Sequence, residues 1–206
     1  MAARRDQAVS GRRAGRLTRS GGPRHCERGV ALVEAAIVTP LLLMLVFGII
    51  EFGFAFKDTL TLANGSRSGA RVGSAATIDP SADWALLQAV KGATGSLAQV
   101  NRIVVFKATS ANGAVPSTCA AGNAVAGSCN VYDASDMALS QASFLSAGYS
   151  KDDSWAATTR ITSLTSAGGP DYLGVYVRAQ HTSIFQLIVP SRALTDTVVM
   201  RLEPTR

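Results

Sequence analysis

Residue types that would carry chemistry are scarce in this chain. Its 206 residues include 2 histidines and 3 cysteines. The histidines, His25 and His181, stand far apart, one in a basic tail and one at the end of an expected strand. No Ser-His-Asp or metal-ligand set can be assembled from them in one domain, so an enzyme is not expected and no cofactor is implied. The short C-x-x-C-type pairs that zinc usually takes are missing as well. Aromatic residues make up 6% of the chain and none lies among the N-terminal arginines. A nucleic-acid-binding arm usually interleaves the two, so no nucleic-acid partner is expected. The adjacent acids Asp152 and Asp153 lack further ligands and read as a solvated turn rather than a calcium or sugar site.

What is present is unevenly distributed. The formal net charge is +6, and it belongs to the tail: Arg4, Arg5, Arg12, Arg13, Arg16, Arg19, Arg24 and Arg28 are opposed there only by Asp6 and Glu27, while the rest of the chain is balanced. Residues 1–29 carry too little apolar surface to offset the entropy of ordering, and disorder is expected. From Val30 to Phe56 the chain reads VALVEAAIVTPLLLMLVFGIIEFGFAF. A bilayer core needs about 20 apolar residues as helix, so this run can span it. Arginines before the span and balance after it orient the N-terminus to the cytoplasm and residues 57–206 outside it. A cleavable secretory signal fits less well, for such signals have shorter apolar regions followed by an A-x-A-like site.

Past the span, Asp58 to Ala76 reads as a continuation of the helix, with Gly65, Gly69 and Gly73 on one stripe. Two readings stay open: a surface for close approach of another backbone, or glycines that only weaken the helix. Asp79-Pro80 reads as the start of a second helix carrying Trp84, Leu87 and Val90 and ending at Gly92. Strands are expected over Arg102–Ala108, Tyr172–Gln180 and Thr197–Glu203, the second alternating Leu173, Val175, Val177 and Ala179 with more polar neighbours. Residues 109–170 show little periodicity; short helices over 136–146 and 154–164 or a loop-rich insertion both fit. Cys119 and Cys129 bracket the loop CAAGNAVAGSC. Outside the cytoplasm they would form a disulfide, the other reading being two free thiols.

Arg28-Gly29 followed at once by a helix with Glu34 as its fifth residue resembles the processing site of type IV pilin-like proteins. Glu27-Arg28-Gly29, Glu34, Pro40, the run Phe47-Gly48-Ile49-Ile50-Glu51-Phe52-Gly53, and Arg67, Gly69, Ala70 and Arg71 together resemble the N-terminal signature of the TadE-like family of the tight-adherence (Flp) pilus system. Met200-Arg201-Leu202-Glu203-Pro204 is similar to that family's end. Ala35 stands where pilins of this system usually carry an aromatic residue.

The resemblance implies cleavage between Gly29 and Val30 by a prepilin peptidase and a subunit-pairing role for Glu34. An ionisable group in an apolar helix is costly and calls for a partner. It further implies a pilin-like α+β fold, in which a long N-terminal transmembrane helix continues into an exported domain with a small antiparallel sheet. The implied protein is a single-pass inner-membrane subunit taking part in pilus assembly, with the lipid bilayer, other pilus or pseudopilin subunits and the assembly platform as partners. The competing expectation is a membrane-anchored extracellular binding module with no pilus role.

Overall fold

A computed structural model describes residues 25–97, 99–184 and 190–204. The disorder expected of the basic tail therefore falls, for residues 1–24, outside the described residues. The chain divides into two compact units, Met1–Leu43 and Met44–Arg206. Helix α1, His25–Ala76, contributes to both. It begins within the stretch expected to lack order and passes through Pro40 without interruption. It ends where Thr77 takes a left-handed φ of 53°, a conformation that closes helices at the position glycine usually occupies.

In the second unit, α1 is followed by helix α2 (Ala82–Thr94) and strand β1 (Gln99–Ala108). A short helix α3 (Ser117–Ala120) and strand β2 (Cys129–Tyr132) come next, then a one-turn helix α4 (Gln141–Phe144) and the long strands β3 (Tyr172–His181) and β4 (Arg192–Arg201). The four strands form one antiparallel sheet in the order β2-β1-β3-β4. The fold is α+β: a long apolar N-terminal helix leads into a small antiparallel sheet.

The alternation in β3 places Leu173, Val175, Val177 and Ala179 on the core face, where they meet Ile103 and Val105 of β1 and Leu62, Leu86, Leu87 and Val90 of the helices. The expected half-buried strand is in fact central and covered on both faces. On the opposite face Val104, Phe106 and Tyr176 pack with Cys119 and Cys129. Gly174 lies under the Phe106 ring, where any Cβ would collide with it.

The glycine stripe of α1 settles in favour of close approach, and the neighbour is the chain's own α2. A Cβ on Gly65, Gly69 or Gly73 would lie less than 3.0 Å from Thr94, Val90 or Leu86 respectively. α2 itself starts later than its sequence suggests. The Asp79 carboxylate accepts from the Ser81 backbone N–H and hydroxyl, both at 2.7 Å, forming a turn ahead of the helix instead of capping it. The helix also runs past Gly92 to Thr94, because that glycine sits on an open face with nothing within 4 Å of where a Cβ would be.

β4 begins earlier and ends earlier than Thr197–Glu203. Leu202, beyond it, is fully buried, and its N–H and that of Glu203 donate to the carbonyls of Asp171 and Ser74 at 2.9 and 3.1 Å. The C-terminal motif thus locks the last strand to α1. Between β2 and β3 the chain is loop-rich, and the helical pieces within 136–146 and 154–164 are single turns: 3₁₀ turns at Asp136–Ala138 and Ala157–Thr159 and the helix α4.

Candidate functional site

The N-terminal part of α1 is the one described helix long and apolar enough to cross a membrane, by length and composition. Its side chains find no core to enter: Leu32, Val33, Ile37, Leu41, Leu45 and Ile49 are all exposed. Such a continuous apolar surface is costly in water and favourable in lipid. Glu34 is the lone acid of this stretch. It shares a shallow apolar hollow with Gly29, Val30, Val33 and Ile37, so Gly29, Val30 and Glu34 are brought to one face of the helix. That follows from helical geometry, since residues four apart stack one above the other. No hydrogen bond or ion pair to Glu34 occurs among the described residues.

Glu51 behaves differently. It lies within the segment 30–56 expected to cross the membrane, yet it is only 2% exposed and belongs to the folded second unit. One face of α1 at this level packs on protein while the other stays bare, with Phe52 73% and Phe56 56% exposed. One Glu51 partner is His181, whose Nε2 lies 3.1 Å from Glu51 Oε1. The same imidazole places Nδ1 2.7 Å from Asp58 Oδ2, about two helical turns further along α1. The Ile184 backbone N–H donates to the second Glu51 oxygen at 3.2 Å.

His181 stands at the strand end as expected, the last residue of β3, but its side chain is only 4% exposed. The Asp58 hydrogen bond, aided by that to Glu51, holds the imidazole pKa above its ordinary value against the opposing effect of burial. The two carboxylates sit on opposite ring nitrogens and cannot converge on a single ion. Among the described residues no group of three or more His, Cys, Asp or Glu is arranged to hold a metal. Glu51 and His181 form one wall of an open cavity of about 450 Å³, lined otherwise by α1 at Gly48, Phe52, Ala55 and Phe56 and by Pro190, Arg192 and Leu194 at and just before the start of β4.

A second buried polar cluster fixes α2 to the loops. Asp83 accepts from Arg160 Nη2 at 2.6 Å, from Tyr132 OH at 2.7 Å and from Asn130 Nδ2 at 2.9 Å. The Arg160 guanidinium also lies 4.5 Å from the centre of the Trp155 ring. Burial and the neighbouring Asp83 charge push the Tyr132 phenol well above its usual value, keeping it neutral and a donor. This cluster is structural: its members hydrogen-bond one another in the interior.

Of the other motif positions, Gly69 is buried against α2, whereas Arg67 and Arg71 are exposed and form no ion pair among the described residues. Cys119 and Cys129 are joined by a disulfide that ties α3 to the start of β2. Sequence reasoning missed the Glu51–His181–Asp58 and Asp83–Arg160 clusters. The one available signal was two acids about two helical turns apart on the face of α1 that turns inward.

No curated protein and no solved structure matches the chain. The model of the TadE-like protein family matches residues 29–71, the stretch that holds the apolar helix, Glu34, Glu51 and the packed Gly69, and this segment of the chain is similar to that family.

Proposed function

We propose that this protein is a pseudopilin-like, single-pass membrane subunit that takes part in assembling a tight-adherence pilus. The observation that carries the reading is the TadE-like match over the exposed apolar helix, on which Val30 and Glu34 share one face. In this reading α1 anchors the subunit in the inner membrane with its basic N-terminus in the cytoplasm. Residues 57–206 lie outside, where an oxidising compartment suits the Cys119–Cys129 bond. A prepilin peptidase cuts between Gly29 and Val30, and the new amino group of one subunit faces the Glu34 carboxylate of another. Each charge alone is expensive in an apolar medium, so the two favour contact between subunits. The role is structural rather than catalytic, and the assembly platform and neighbouring pilus subunits are the protein partners.

Cross-linking in envelopes of cells that carry the pilus system, followed by isolation of this chain, tests the proposal. Pilus subunits or platform components should co-isolate with it. Recovery of the chain with lipid alone, under conditions that capture a known subunit pair, would leave an anchored module with no pilus role.

A further inference from the structure

We propose that Glu51, His181 and Asp58 form a proton-dependent latch in which a doubly protonated imidazolium ties the end of β3 to α1. The argument is one of hydrogen-bond inventory. A neutral imidazole has one N–H donor and one acceptor nitrogen, and an ionised carboxylate can only accept. Here each ring nitrogen faces a carboxylate oxygen, at 2.7 Å to Asp58 and 3.1 Å to Glu51. With both acids ionised, both contacts are hydrogen bonds only if both nitrogens carry protons. A neutral His181 would set a lone pair against one of the two acids. If the acid were Glu51, its charge would lie almost wholly out of water with its contact to the ring turned repulsive.

The surroundings bear on the same equilibrium from three elements. α1 supplies the two acids. β4 supplies Arg192, the cross-strand partner of His181, which shares the cavity wall with it and opposes the imidazolium. The backbone after β3 supplies the Ile184 N–H, which donates to the second Glu51 oxygen. Two acids against one cation favour the protonated ring, in line with its raised pKa.

The sign of the linkage follows. A histidine whose folded pKa lies above its unfolded one stabilises the fold fully below about pH 6.5. That stabilisation is lost as pH rises through the folded value. The latch is closed below the ordinary histidine value and loosens as pH rises through the raised folded value, releasing the end of β3 from α1 at the level where the helix passes from its bare segment into the folded unit.

The test is a pH titration of the ring nitrogens of histidine by NMR in the full chain held in lipid nanodiscs, with His25→Gln used to assign the two signals. His181 should keep the imidazolium signature at pH values where a free histidine is already neutral. Asp58→Asn should lower its titration by roughly one unit or more, the usual effect of removing a paired charge. A parallel readout is the unfolding midpoint, which should fall as pH rises above about 6.5 in the natural chain and fall less in His181→Gln. If His181→Gln does not fold, Asp58→Asn still decides by its titration. A His181 that titrates at or below the value of a free histidine, or that ignores Asp58→Asn, overturns the latch.

Discussion

Asp83 of α2 and Arg160 of the loop before β3 form an ion pair from which water is excluded, Nη2 to Oδ1 at 2.6 Å with side chains 2% and 0% exposed. Removing one partner leaves the other charge buried and unpaired, which costs about 3–5 kcal/mol, while exchange of a whole pair for apolar residues is often neutral. Asp83→Ala should therefore lower the denaturation midpoint sharply. The double variant Asp83→Leu with Arg160→Met should recover part of the loss. Chemical denaturation of the three proteins checks it, and equal loss in single and double variants would mean that the pair is not the reason for the effect.

Gly69 should tolerate no side chain of substance. A Cβ there would already stand 2.5 Å from Val90 Cγ2, so Gly69→Leu must force α1 and α2 apart. Overpacking of this kind costs about 1–3 kcal/mol. Gly53, with nothing within 4 Å, is the control: Gly53→Ala should hold or slightly raise stability by improving helix propensity. Thermal unfolding of both variants separates packing from propensity, because a propensity effect alone would make both substitutions favourable.

Cys119 and Cys129 should be bonded in protein taken from the envelope, and their joint replacement by alanine should cost about 2–4 kcal/mol. Non-reducing mass spectrometry of the loop peptide tests the first half and urea unfolding the second. Freely alkylated thiols in rapidly trapped material would contradict both the bond and the oxidising location.

Glu34→Gln should leave membrane insertion intact while reducing co-isolation with pilus subunits, because neutralising the acid makes the helix cheaper to insert and removes the charge offered to a neighbour. Envelope protein should begin at Val30 when the matching peptidase is present. N-terminal sequencing and carbonate extraction of the two forms give the answer. An intact basic tail together with unaltered co-isolation would return Glu34 to an incidental position.

Much of this molecule was readable from local pattern, and the parts that were not have physical reasons. The alternation at Leu173, Val175, Val177 and Ala179 revealed the core face of β3 because a strand's period is fixed by its geometry. The apolar helix was visible because length and composition alone define it. β2 was missed: Cys129–Tyr132 is only 4 residues long, too short to show a period, and it exists because β1 offers it an edge. The start of α2 was misplaced because the Asp79 side chain is used by Ser81 in a turn, a choice between two local hydrogen bonds that sequence does not decide. Glu51 was singled out by resemblance, but its contact with His181 spans a separation of 130 positions, for which no periodicity exists. The glycine stripe was seen, while its partner proved to be the chain's own second helix, a fact of tertiary packing.

The central claim is participation in pilus assembly, and the most direct measurement is the amount of pilus sheared from cells lacking this chain. The account predicts that an in-frame deletion loses surface pili and that the natural chain, supplied from a second locus, restores them. Undiminished pili in the deletion strain, with the rest of the system intact, would contradict it.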